Sequence, residues 1–298
     1  MRQHGVSLLY LRYWKRREIL HTPPIQCDPQ ATLEIHTQIC ARDWLNSIWS
    51  LKSFHFFVPN PFRLVIFCDV SITPHMAATL ESHFPGAIVM PCHTPSAIVS
   101  EVFAKQFPRL YGLRTDGRFN LLPKIVDSYA LRRNAVVLAI DPDVLFFDQP
   151  MDLLSDLDAN RGYFARLNVP SCDCPPRWSF CIDADLLRER FGLEFPIRFQ
   201  AGLGSMNYSE CDWELIERIV SEIPFDPNRA FLAEQTLVAI LSVAGGYKTL
   251  PPERYAILPV ANLDGVVARH YYSHTRDLLY LEGIPALILR GLCSGKRA

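Results

Sequence analysis

The 298-residue chain lacks any apolar run near the ~20 residues that a membrane-spanning helix needs; its longest, such as 135–140, falls far short. It lacks an excess of either charge: 30 Lys+Arg against 31 Asp+Glu leave a formal net charge of −1. Without a basic surplus to displace counterions from phosphate, non-specific nucleic-acid binding is excluded. Lysine is scarce, 6 against 24 Arg. Genome composition explains that bias, which also suits bidentate recognition of phosphate and carboxylate. There is no Cys-x-x-C pair. Nine cysteines, an odd number, are spread from Cys27 to Cys293, and the tightest group, Cys172, Cys174 and Cys181, departs from zinc-site spacing. They read as free thiols of a reducing compartment, so a cytoplasmic location is expected. No internal repeat or low-complexity tract is present. What is present is apolar: 49% hydrophobic against 20% charged residues, enough for a sizeable core.

Residues 1–31 are expected as an N-terminal extension, punctuated by Pro23, Pro24 and Pro29. Its apolar stretch Val6–Leu11 is too short for a secretory signal, and Arg12, Lys15, Arg16 and Arg17 follow it rather than precede it. Those charges read either as a weak peripheral contact with a membrane surface or as a solvated tail. Residues 32–298 are expected as one domain, since no long linker interrupts them. Strands are predicted over 33–39, 62–68, 87–90 and 135–140, and helices over 42–56, 74–84, 95–107 and 120–132. This alternation predicts an α/β fold with a Rossmann-like, mostly parallel central sheet and helices on both faces. The C-terminal half is more elaborate. It has strands over 162–167, 202–206, 247–250 and 266–271, and helices over 183–191, 211–223, 231–244 and from about 276.

The sharpest feature is Asp141-Pro142-Asp143, between the apolar run 135–140 and Val144-Leu145-Phe146-Phe147. Ligands of open α/β sheets sit beyond the carboxyl ends of the strands. Two carboxylates at i and i+2 repel there unless a cation lies between them. Mg²⁺ and Mn²⁺ take carboxylate oxygens and share them with substrate phosphates, so the element points to a metal that clamps a diphosphate. The plain alternative is a loop in which Asp143 or Asp148 caps a turn. Position in the sheet alone places Thr37, Gln38 and Arg42, after the first strand, and Asp69, after the second, near a bound nucleoside.

The block 119–124 followed by 136–150, a helix leading to a strand that ends in Asp-x-Asp, resembles the donor-site segment of GT-A-fold nucleotide-sugar glycosyltransferases. Three later segments keep the order of the glycogenin-like and galactosyltransferase-like branch. Phe199–Gly202 resembles its Asn-Ser/Ala-Gly loop, with Gln200 in place of Asn. Ala233–Gln235 resembles its Asp-Gln element, and Val267–His270 the late His of its metal site. The resemblance spans roughly residues 33–285. It implies a GT-A fold and a metal-dependent glycosyltransferase with a nucleotide-sugar donor. A UDP-sugar is expected, with a lean towards retention of the anomeric configuration.

The resemblance further implies Asp141, Asp143 and His270 as ligands of Mn²⁺ or Mg²⁺, and Lys124 or Arg118 against the donor sugar or phosphate. It brings Gln200 and Gly202 close to the sugar, and Glu234 and Gln235 to the reacting centre. Glu234 could orient the acceptor hydroxyl, act as a base or cap its helix. The family's Gly-x-Lys-Pro-Trp stretch is absent after His270. Arg276 or His274 would then replace the lysine that grips the diphosphate, although Arg276 equally suits a helix start.

Two other readings stay open: a glycosyltransferase-like module that binds without catalysis, and a haloacid-dehalogenase-type phosphatase. The latter also places Asp-x-Asp after an apolar strand. It needs a Gly/Val-Thr step next, where this chain has Val144-Leu145-Phe146. The acceptor, whether glycan, lipid or small molecule, is not specified by the sequence; the loop Pro170–Pro176 is expected to border its site.

Overall fold

The computed structural model describes residues 2–93, 96–158, 162–166 and 179–294; the loop Pro170–Pro176, with Cys172 and Cys174, lies outside them. The described strands are β1 (Glu34–Ile39), β2 (Arg63–Cys68), β3 (Ile88–Pro91), β4 (Val136–Ile140), β5 (Val144–Phe146), β6 (Tyr163–Arg166), β7 (Phe199–Asn207), β8 (Lys248–Thr249), β9 (Tyr255–Ala256) and β10 (Ala268–His270). Seven of them form one sheet in the order β3-β2-β1-β4-β7-β6-β8, and β5-β10-β9 form a second. In the large sheet β3, β2, β1 and β4 are parallel neighbours, as are β6 and β8. Strand β7 runs antiparallel between β4 and β6.

The side-chain pattern explains the layers. Every residue of β1 and β2 is buried, as expected for strands covered on both faces. Leu64 and Ile66 enter one core with Ile35, Leu138 and Ile140, while the alternate residues Val65, Phe67 and Val137 turn to the opposite face. Helix Trp44–Phe57 covers the first face with Ile48, Trp49 and Phe54. Helices Ala97–Gln106 and Ala233–Ala244 cover the second with Val99, Phe103, Leu237 and Ile240. The mostly parallel sheet with helices on both faces is therefore as expected.

Several elements differ from expectation. The helix predicted over 120–132 is a 3-10 turn, Leu122–Lys124, followed by a short helix, Val126–Leu131. Pro123 has no N–H to continue an α-helix through that point. The helix predicted over 95–107 stops at Gln106, and a second, Pro108–Thr115, starts with Pro108 in its first turn. Strand β7 is longer than predicted because it pairs on both sides. Residues 144–146, which read as an apolar tail, form β5.

Residues 1–31 contain a helix, Arg2–Tyr13, and a 3-10 run, Lys15–His21, whose Ile19 is fully buried. Trp49 Nε1 donates to Arg16 O at 2.7 Å. Lys52 Nζ donates to Thr22 Oγ1 at 2.6 Å and to Pro23 O at 2.7 Å. The backbone of Ile25 and Cys27 bonds to His83 and Pro85. Among the described residues no helix is long and apolar enough to cross a membrane. The described cysteines, Cys27, Cys40, Cys68, Cys92, Cys181, Cys211 and Cys293, are free thiols.

Candidate active site

Strand β4 leaves the large sheet at Ile140. Asp141 still extends its ladder, donating its N–H to Gly202 O on β7 at 2.8 Å. Pro142 follows, and Val144 opens β5 in the second sheet. The Asp-x-Asp pair therefore sits at the junction of two sheets. Strand β10 runs antiparallel to β5 with His270 opposite Val144, and Tyr271 N donates to Asp143 O at 2.8 Å. This register carries a histidine from late in the chain onto the aspartate pair.

His270 Nε2 lies 3.0 Å from Asp143 Oδ1 and 3.7 Å from Asp141 Oδ2. One ligand atom from each of the three residues falls within 4.8 Å of the others. Gly202 lies behind the imidazole: a Cβ there would come within 2.2 Å of His270 Cε1 and 2.5 Å of Nδ1. Only a residue without a side chain lets the ring reach the aspartates. The outer Nδ1 is buried and finds no partner among the described residues.

Two cationic side chains close the cluster. Lys124 Nζ lies 2.5 Å from Asp141 Oδ1 and 2.8 Å from Glu234 Oε1. Arg276 spans two carboxylates, with Nη2 2.6 Å from Asp143 Oδ2 and Nη1 2.6 Å from Asp43 Oδ1. Burial opposes the charged form of Asp143, His270, Glu234 and Lys124, and their neighbours add to it or outweigh it. Burial would raise Asp143, but the charge and hydrogen bond of His270, then Arg276, hold it below the usual carboxylate range. Burial would lower His270, but Asp143 and then Asp141 hold it above the usual imidazole value. For Glu234, burial and the charge of Asp141 win over Lys124, so its carboxyl titrates above its ordinary value. Lys124 is raised because Asp141 and Glu234 outweigh its burial.

A cleft of about 220 Å³ opens over this cluster. Of the residues singled out from the sequence, Gln38, Arg42, Asp69, Lys124, Asp141, Asp143, Glu234 and Arg276 line it. Thr37 is buried within β1. Gln200 lines a separate small cavity beside β4 and β7. Gln235 Nε2 donates to Ser179 O at 2.7 Å, and Arg118 is an exposed partner of Asp116. Sequence reasoning missed other residues of the cleft, Asn120 and Asp43 among them. Asn120 accepts a hydrogen bond from Gln38 Nε2 at its carbonyl, 2.7 Å away. Asp43, inside the helix predicted over 42–56, instead directly precedes helix Trp44–Phe57, and its side chain makes no capping bond.

Two carboxylates and an imidazole make a donor set that suits Mn²⁺ better than Mg²⁺, which favours oxygen alone. A cation there would also relieve the repulsion between Asp141 and Asp143.

No protein-family model matches the chain, and no curated protein matches it. Among solved structures it is similar to glycosyltransferases. Mouse xyloside xylosyltransferase 1 in its apo form shares 11% identity over 85% of this chain and 99% of that one, with a TM-score of 0.49. The apo bifunctional glycosyltransferase WbbM shares 12% identity over 86% and 50%, with a TM-score of 0.48. The galactosyltransferase LgtC, in complex with donor and acceptor sugar analogs, shares 13% over 88% and 95%, with a TM-score of 0.44. At this distance the likeness decides nothing about chemistry, which lies in the atoms of the cluster itself.

Proposed function

We propose that the chain is a metal-dependent glycosyltransferase that moves a sugar from a nucleoside-diphosphate sugar to an acceptor hydroxyl. One observation carries this reading: Asp141, Asp143 and His270 converge at the carboxyl end of β4, and the two aspartates line a cleft with Lys124 and Arg276. Three donors can hold a divalent cation, and two cationic side chains beside them can meet phosphate. Mn²⁺ is the cation we favour, and a UDP-sugar the donor. When bound, the metal would act as a Lewis acid on the leaving diphosphate. Lys124 keeps Asp141 and Glu234 apart and neutralised. Glu234 lines the cleft where an acceptor hydroxyl would have to approach, and Gln38, Arg42 and Asp69 lie at the strand ends where a nucleoside is met. The sequence resemblance leans towards retention of configuration, and we take residues 32–298 as the catalytic domain. The unpaired thiols suit a reducing cytoplasm.

Thermal unfolding with Mn²⁺ and UDP tests the donor site. Ligand at about 100 times its Kd stabilises by about 2.7 kcal/mol, which is a readable shift in Tm. A shift that needs both components is expected; no shift with any nucleoside diphosphate would end this reading. A screen of nucleotide sugars for metal-dependent hydrolysis then names the donor. Gln235, tied to Ser179 O rather than lining the cleft, favours a second reading: a module that binds a nucleotide sugar without transferring it. Binding without turnover of any donor would select that reading.

A further inference from the structure

Asp43 directly precedes helix Trp44–Phe57, where an aspartate normally accepts from the first free N–H groups of the helix. It makes no such bond. Its carboxylate, only 4% exposed, is turned instead to Arg276 at 2.6 Å and to Arg42 at 3.0 Å. Asn46 Nδ2 and Cys40 Sγ approach the same carboxylate at 3.4 and 3.5 Å, and Asn46 also donates to Tyr280 OH at 3.1 Å. A helix end thus lacks its side-chain cap and presents a fixed anion to two arginines, the half-buried Arg276 and the exposed Arg42.

The other half of that arginine's fork rests on Asp143, one of the three residues that can hold a metal. His270 faces Asp143 Oδ1 while Arg276 Nη2 holds Oδ2, so a cation bound on the His270 side and the guanidinium compete for the charge of one carboxylate and repel each other across it. With that charge drawn to the metal, Nη2 is held less tightly at Oδ2 while Nη1 keeps Asp43. The guanidinium is then held beside the metal with its Nη2 arm available for a charge-assisted hydrogen bond to phosphate.

We propose that Arg276 is exchanged between Asp143 and the diphosphate of the donor, and that Asp43 is the positioning residue on which it turns. This rests on the donor site proposed above. In the metal-free chain Arg276 stands in for the cation at Asp143; in the loaded chain it serves as a diphosphate clamp. Asp43 anchors it in both states.

The exchange has a signature that a purely structural ion pair lacks, namely opposite signs in two binding measurements. In titration calorimetry of the full chain with Mn²⁺ alone, Arg276→Ala should tighten Mn²⁺ severalfold, because a competitor has been removed. With Mn²⁺ saturating, the same variant should weaken UDP about tenfold, the scale of one charge-assisted hydrogen bond. Asp43→Asn should weaken both, since Arg276 then falls back on Asp143 and is poorly placed for phosphate. Asp43→Glu, which keeps the anion, should restore part of the UDP affinity. Circular dichroism of each variant checks that it is folded. If Arg276→Ala weakens Mn²⁺ or leaves both affinities unchanged, the exchange is wrong. If UDP fails to bind the wild-type chain while Mn²⁺ binds, the donor reading fails, and the Mn²⁺ titration still reports on competition at Asp143. Should Asp43→Asn prove misfolded, the two Arg276→Ala titrations decide alone.

Discussion

Gly202 and His270 fit together as a plane against a gap: the imidazole fills the volume that a side chain on β7 would occupy. The histidine reaches the aspartate pair only because position 202 has no Cβ. Gly202→Ala should therefore displace the ring and lower Mn²⁺ affinity by roughly 10–100-fold, the usual consequence of disturbing a ligand's orientation. Calorimetry with Mn²⁺ checks this. Unchanged affinity would mean that His270 does not ligate.

Asp143 receives both His270 and Arg276. Asp143→Asn keeps the shape and removes the charge. The Mn²⁺-dependent stabilisation by UDP should vanish, with metal affinity down on the order of 100-fold or more, while the far-ultraviolet circular dichroism stays native. A variant that still shows the full metal-dependent shift would remove Asp143 from the metal site.

Lys124 is buried between two carboxylates, Asp141 and Glu234. Lys124→Met leaves two anions facing each other without compensation, and breaking a buried pair in this way costs about 3–5 kcal/mol. Chemical denaturation should show that loss. Adding Glu234→Gln should recover part of it, because the two residues share one interaction. A fully additive double variant would show that the pair is not coupled.

Burial, with the charge of Lys52 added, holds His83 down at about 4, against ~6.5 for an unperturbed imidazole. Between these values the unfolded chain takes up a proton that the folded chain refuses. Stability should therefore rise with pH from about 4 to about 6.5 and level off above. His83→Gln should flatten that limb in denaturation curves recorded across the range; an unchanged slope would assign it to other groups.

Strands β2 and β4 were legible because they are nearly continuous apolar runs, the common look of a strand buried on both faces; β1 is buried just as fully but carries Glu34, His36, Thr37 and Gln38. The Asp-x-Asp was legible because it follows the clearest of those runs. Strand β5 was not, since three apolar residues carry no period of their own and become a strand only by pairing with β10. The partnership of His270 with Asp143 depends on that same long-range pairing; only family resemblance brought His270 forward, and no local pattern marks it. Asp43 escaped for another reason. It falls inside the helix predicted over 42–56, where an acidic side chain reads as a solvated face, whereas the helix starts at Trp44 and the Asp43 carboxylate meets Arg276 from far along the chain. Arg118 and Gln235 show the converse, since a place next to a motif does not decide where a long side chain finds its partner.

Helix Trp44–Phe57 works as a beam loaded at two points. Its start carries Asp43, which holds Arg276 over the cleft. Its middle carries Trp49 and Lys52, which grip the backbone of residues 16–23. Shortening the chain to residue 32 would unload one of these points, uncovering Trp49 and leaving the Lys52 ammonium buried without its oxygens. The helix that loses those contacts is the one whose start fixes Asp43 against Arg276, so the N-terminal residues belong to the support of the candidate site.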